Sequence, residues 1–270
     1  MPRLDINNFA VDYMETGAGL PIIFIPGISE FKEVFVFQFG GLQDSFRIVS
    51  YDVRRGLKRS ADYTLDLLVE DLKGLMKALD MRSAVICGHS FGGLIAMEFA
   101  VRYPEQTRAL ILVSAFSSPP DMSPEALLGH ISAAEHPLKT SVVTKVRAFA
   151  ERLLGKQSSS SLVMEHQVEA VLDVARQASG TSKTTIQQRL GIIKGTDLRP
   201  NLPKIVAPTL VVAGAKDKAF FLASAQGMYE RIPDATLEVI EGVGHFCFLT
   251  RHDQFNSAVD DFLTDRLAQL

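Results

Sequence analysis

The 270-residue sequence predicts an α/β fold: a mostly parallel central sheet covered by helices on both faces, interrupted by a helical insertion. Three observations carry this expectation. Short apolar runs without polar alternation recur along the chain, as strands buried on both faces require. Stretches with apolar residues every three or four positions lie between them. The strand signal stops after Phe116 and resumes only at Pro208. The core is therefore expected to span 1–116 and 205–270, with 117–204 as the insertion.

Asn7-Asn8 separates two short runs, 3–6 and 9–14, and is expected to be a hairpin tip. Residues 20–25 (LPIIFI) form an apolar run ended by Pro26-Gly27. Residues 47–53, 83–87 (SAVIC) and 109–113 (ALILV) are further strand candidates. Leu65, Leu68, Val69, Leu72, Leu75, Met76 and Leu79 repeat at helical steps, and 91–103 reads as a second helix stopped by Pro104. This order demands right-handed crossovers and a sheet covered on both sides. The insertion opens with Ser117-Ser118-Pro119-Pro120 and then gives helical stretches near 124–134, 140–154, 161–178 and 184–193. Strands are expected again at 208–213 (PTLVVA) and 236–240 (TLEVI). A last helix carries Phe255, Val259, Phe262, Leu263 and Leu267 on one face.

Composition narrows the function classes. Hydrophobic residues make up 47% and charged residues 22%, an ordinary globular balance that excludes a largely disordered chain. The net charge of −3, from 28 basic and 31 acidic residues, argues against a nucleic-acid binder. No run approaches the ~18 apolar residues of a membrane span, and the start of the chain is too polar for a secretory signal. Two cysteines, Cys87 and Cys247, leave no disulfide framework and no zinc knuckle, so reduced core thiols and a cytoplasmic protein are expected. Cys247, two residues after a histidine of interest, is also expected to sensitise activity to thiol reagents by crowding the site.

Gly88-His89-Ser90-Phe91-Gly92-Gly93 follows one strand candidate and opens a helix. A serine at such a sharp strand-to-helix turn sits in strained backbone geometry, and the positions two before and two after it must be small. Its hydroxyl then stands above the carboxyl edge of the sheet, where open α/β sheets bind ligands. A hydroxyl is a poor nucleophile at neutral pH and needs a base held by a third group. His245, in Gly242-Val243-Gly244-His245-Phe246 after the last strand, is the best base, and Asp217, in Gly214-Ala215-Lys216-Asp217, the best orienting acid. The competing carboxylates Asp121 and Glu241 are less well placed. His89 is expected to support the turn by packing, and His130 and His136 are too far apart for one helical face to hold a metal. Acyl transfer also needs two donors for the developing oxyanion, and the N–H groups of Phe91 and Ile28 are the candidates.

These residues resemble the α/β-hydrolase superfamily, in the branch with a helical cap, over nearly the whole chain. The resemblance rests on Pro26-Gly27-Ile28, Asp52-Val53-Arg54-Arg55-Gly56, the glycine-flanked Ser90, Asp217 and Gly244-His245, in the chain order Ser90, Asp217, His245. Pro26 stands where the branch usually has histidine, and Leu57-Lys58-Arg59-Ser60 departs from the family's glycine-rich continuation. The resemblance implies no cofactor and no metal, with a cap at 117–204 shaping the pocket. Phe31, Phe116, Met122, Phe149 and Phe246 are the candidates to line it, beside Ile28 and Phe91. It also implies a small, largely apolar ester or lactone as substrate and a monomer or homodimer. Carbon–carbon bond hydrolase, thioesterase, perhydrolase and triad-retaining receptor roles are the alternatives.

Overall fold

The structure, a computed structural model, describes residues 2–119 and 181–267. The helical stretches expected at 124–134, 140–154 and 161–178 lie outside the described residues, as do Asp121, Met122, His130, His136, Phe149, His166 and the side chain of Leu267.

Eight strands form one sheet: β1 (Arg3–Ile6), β2 (Phe9–Thr16), β3 (Leu20–Ile25), β4 (Phe46–Tyr51), β5 (Ala84–His89), β6 (Thr107–Val113), β7 (Thr209–Gly214) and β8 (Ala235–Ile240). Their order is β1-β2-β4-β3-β5-β6-β7-β8. The pairs β1–β2 and β2–β4 are antiparallel, and every other neighbour pair is parallel. Asn7 and Asn8 have φ of 46° and 58° and pair Ile6 with Phe9 across a two-residue turn. Two successive left-handed residues match the right-handed twist of the flanking strands.

The described helices are α1 (Val36–Leu42), α2 (Leu65–Ala78), α3 (Phe91–Arg102), α4 (Lys183–Gly195), α5 (Ala219–Arg231), the short α6 (Cys247–Thr250) and α7 (His252–Leu267). Alternate residues of the parallel strands feed two separate cores. Ile23, Ile25, Ile86, Leu110, Leu112 and Val211 pack with α2, α3 and α5, whereas Ile22, Phe24, Val85, Ile111, Val113 and Val212 pack with α1 and α7. Burial of both faces is why these strands read as unbroken apolar runs. No helix among the described residues is long and apolar enough to cross a membrane.

Three helices, α1, α5 and the short α6, have no counterpart among the expected elements. The α1 segment VFQFGGL combines β-branched, aromatic and glycine residues, which are poor helix formers. Tertiary contacts override that preference: Val36, Phe37, Phe39 and Leu42 are buried, and Gln38 Nε2 donates to Phe248 O at 2.8 Å. In α5, the buried residues Phe221, Ala225 and Met228 carry a helical spacing that would have revealed it. The helix expected at 184–193 is present as α4, capped by Ser182, whose hydroxyl accepts from Thr185 N. The strand expected at 47–53 ends at Tyr51, and the Asp52 carboxylate that follows it accepts from the Lys32 backbone N–H and ammonium at 3.0 and 2.9 Å.

Candidate active site

β5 runs into Ser90, whose φ of 50° and ψ of −114° place a non-glycine residue in left-handed backbone. Such strain costs on the order of 1–3 kcal/mol and persists only where the surroundings enforce it. Here Ser90 N–H donates to Val113 O at 2.9 Å on the next strand, and Ser90 O accepts from Gly93 N at 3.0 Å. The flanking glycines are required by contact. A Cβ at Gly88 would lie 2.4 Å from Gly92 O, and a Cβ at Gly92 would lie 2.3 Å from Ile25 O. The start of α3 therefore presses on the loop after β3, which brings Phe91 and Ile28, both buried, into one neighbourhood.

Asp217 follows β7 in a turn closed by Asp217 N–H to Gly214 O at 2.9 Å. The same turn is tied to the loop after β8 by Lys216 N–H to Val243 O at 2.7 Å. Across that tie, His245 Nδ1 lies 2.9 Å from Asp217 Oδ2, while Asp217 Oδ1 accepts from Lys218 N at 2.8 Å. Both side chains are only 4% exposed. The carboxylate accepts from Nδ1–H, so Nε2 is left with its lone pair, and it is buried without a hydrogen-bond partner among the described residues. Burial pushes the His245 imidazole below its ordinary range; the Asp217 hydrogen bond opposes this, and the field of His89 adds to it.

Asp217 and His245 are thus brought into contact. Ser90 adjoins His89, whose ring centroid is 4.9 Å from that of His245. The structure does not hydrogen-bond the Ser90 hydroxyl to His245 Nε2. Such bonds are often long before substrate binds. Glu241, the competing carboxylate within the described residues, is exposed.

Among the candidate pocket residues, Phe246 meets His245 edge-on at 5.5 Å, and Phe116 lies 5.9 and 6.0 Å from Phe220 and Phe221. Phe31 is buried on the loop after β3. An open groove of about 1110 Å³ lies elsewhere, between β8 and α7. Cys247 is fully buried and its thiol is pushed up to about 12, chiefly by burial. That opposes the sensitivity to thiol reagents expected from its position, because the thiolate is the reactive form.

Several neighbours of the site were not singled out in the sequence. Phe221 packs with its ring tilted, centroid 4.3 Å from that of His245, and its place four residues after Asp217 was the available signal. Glu30 Oε2 accepts from Gly27 N at 2.7 Å and lies 2.9 Å from His89 Nδ1. Gly27 is small for that reason, since a Cβ there would lie 2.5 Å from Glu30 Oε1. Arg189 on α4 reaches the candidate oxyanion loop from far along the chain, donating to Ile28 O at 2.7 Å.

A family model described as the alpha/beta hydrolase fold matches residues 21–252. The chain is 29% identical to a putative non-heme chloroperoxidase of Synechocystis sp., covering 95% of this chain and 96% of that protein. It is 26% identical to 2-hydroxy-6-oxo-6-phenylhexa-2,4-dienoate hydrolase of Comamonas testosteroni, covering 97% and 94%. Its structure is similar to that of an enol-lactonase from Burkholderia xenovorans, with a TM-score of 0.73, 25% identity and coverage of 97% and 100%. The sheet order, the left-handed serine after β5 and the match over most of its length make this chain a member of the α/β-hydrolase family.

Proposed function

We propose that the protein is a serine hydrolase that cleaves a carboxylic ester or lactone of a small, largely apolar compound. The observation that carries this reading is the buried His245–Asp217 pair, whose unpartnered Nε2 sits at the same sheet edge as the strained Ser90. In this mechanism Ser90 Oγ attacks the acyl carbonyl while His245 Nε2 takes its proton. Asp217 holds the imidazole tautomer and stabilises the imidazolium. The N–H groups of Phe91 and Ile28 receive the oxyanion, each contributing roughly 2.7–4 kcal/mol in the transition state. His245 then protonates the leaving alkoxide, and water activated by the same imidazole releases the acid from Ser90. The aromatic surroundings of His245 favour a neutral, apolar acyl or alcohol group. In this reading the insertion 117–204 serves as a cap, which is supported by the contact of α4 with the loop after β3 through Arg189 and Ile28 O.

Carbon–carbon bond hydrolysis is the second reading, favoured by the similarity to the Comamonas dienoate hydrolase. One panel separates the two: p-nitrophenyl esters of graded chain length, lactones, a thioester and a vinylogous diketone. Ester or lactone turnover is expected, and Ser90→Ala should lower it by about 10⁴-fold or more. Undiminished turnover in that variant would remove Ser90 from the mechanism. Diketone cleavage alone would establish the second reading, and a single slow equivalent would mark a receptor.

A further inference from the structure

We infer that Glu30 and His89 form one positioning couple that fixes the loop carrying the candidate oxyanion donor to the loop carrying the candidate base. The inference rests on the hydrolase reading above. His89 is the last residue of β5 and is fully buried. Its Nδ1 lies 2.8 Å from Glu30 Oε1 and 2.9 Å from Oε2, and its Nε2 lies 3.1 Å from the backbone oxygen of His245. A carbonyl oxygen only accepts, so Nε2 carries a hydrogen. Nδ1 faces the Glu30 carboxylate, so the couple points its imidazole end at His245. Glu30 Oε2 also accepts from Gly27 N at 2.7 Å, the residue before Ile28.

Packing alone does not account for this arrangement. A buried ion pair is seldom more stable than apolar residues of the same volume, whereas losing one partner leaves an uncompensated group. The walls around His89 are already apolar, with Phe248 and Phe246 at 4.7 and 5.3 Å. Yet every polar contact of the couple ends on the two loops that flank Ser90. Glu30 anchors the loop after β3, His89 anchors the loop after β8, and the residue next to His89 is Ser90 itself. Small displacements of these loops would misplace the oxyanion donor relative to the base, and misplacement of about 1 Å can cost 100-fold in rate.

The couple also contributes to the field at His245, after burial and the Asp217 hydrogen bond. The charged and titratable groups facing that imidazole are Asp217 from the loop after β7, His89 from β5 and Glu30 from the loop after β3, with the neutral Cys247 thiol on α6 nearby. His89 lowers the His245 pKa by more than Glu30 raises it, because its ring is the nearer end.

The test combines kinetics with a substrate-free measurement. Glu30→Leu should lower kcat at least about tenfold with KM within about twofold, and Glu30→Gln, which keeps an acceptor for Gly27 N–H, should restore most of it. His89→Gln should raise the His245 titration midpoint, read by NMR of ¹⁵N-histidine-labelled protein without substrate. Glu30→Gln should lower it, because the carboxylate it removes raises the His245 pKa, and it carries the titration if His89→Gln does not fold. Folded Glu30→Leu and His89→Gln proteins with unchanged kcat and an unmoved His245 midpoint would overturn the inference. If the wild-type protein cleaves none of the panel, the hydrolase reading fails separately, and the NMR titration still decides whether the couple acts on His245.

Discussion

His245 is the residue where opposing electrostatic effects meet. Desolvation lowers its pKa below the ordinary value of 6.5, the Asp217 hydrogen bond raises it, and the nearby His89 lowers it further, with a net depression. A histidine that is harder to protonate folded than unfolded leaves stability untouched above pH 6.5 and subtracts from it as the pH falls below that value. For catalysis the same shift keeps the neutral base available in mildly acidic solution. The acid limb of kcat/KM against pH, which reports the free enzyme, is therefore expected below 6.5. A limb at or above pH ~7 would contradict a buried, desolvated base. Ser90, Asp217 and His245 were legible in the sequence because each follows an apolar run at a glycine-marked strand end. Glu30 was not, since a lone glutamate three residues after Gly27 in a loop shows no pattern until its carboxylate is seen against His89.

At the scale of elements, the close passage of β5, α3 and the loop after β3 shapes the site. The sequence conveyed it through two glycines, because only a missing Cβ lets three backbones meet. Gly92→Ala tests this directly. Its methyl would sit 2.3 Å from Ile25 O and 2.8 Å from Pro26 O, both backbone atoms with no side chain to swing away. Overpacking of this kind costs about 1–3 kcal/mol, and the shift falls on the loop that carries Ile28. The expected outcome is a folded protein whose kcat drops at least about tenfold, a loss of roughly 1.4 kcal/mol in the transition state. Wild-type kcat with a normal melting temperature would show that the loop position does not matter. The strands were readable for a related reason: burial on both faces leaves no polar position to blur the run. The opposite held for α1, whose residues prefer extended backbone and become helical only because their side chains are buried.

At the scale of the whole molecule, one helix joins distant parts of the chain. Thr185, Gln188, Arg189 and Ile192 occupy one buried face of α4, at helical spacing but with three polar members. Polarity hid this face in the sequence, where a buried helix is sought through apolar residues. Its partners explain the polarity. Thr185 Oγ1 accepts from Gly56 N at 2.8 Å, and Gln188 Oε1 and Nε2 hold the N–H and carbonyl of Leu57 at 3.0 and 2.7 Å. Arg189, almost fully buried, donates to Tyr63 Oη, Ile28 O, Val53 O and Arg54 O at 3.2, 2.7, 3.0 and 3.3 Å. These atoms belong to the loops after β3 and β4, which in turn are fixed by the bidentate Arg54–Asp71 pair against α2. Arg189→Met keeps most of the volume and removes every donor. Arg54 O keeps the Tyr63 hydroxyl at 2.7 Å, so Ile28 O and Val53 O are the two carbonyls orphaned. Each buried acceptor left unpartnered costs about 1–3 kcal/mol, and the two together should lower the melting temperature by roughly 8 °C. Arg189→Lys should fall between, because one ammonium cannot span acceptors that a planar guanidinium reaches together. If Arg189→Met melts within a few degrees of wild type, water must replace the guanidinium. α4 would then be a passive cover over the core, not the tie that holds Ile28 to the second loop.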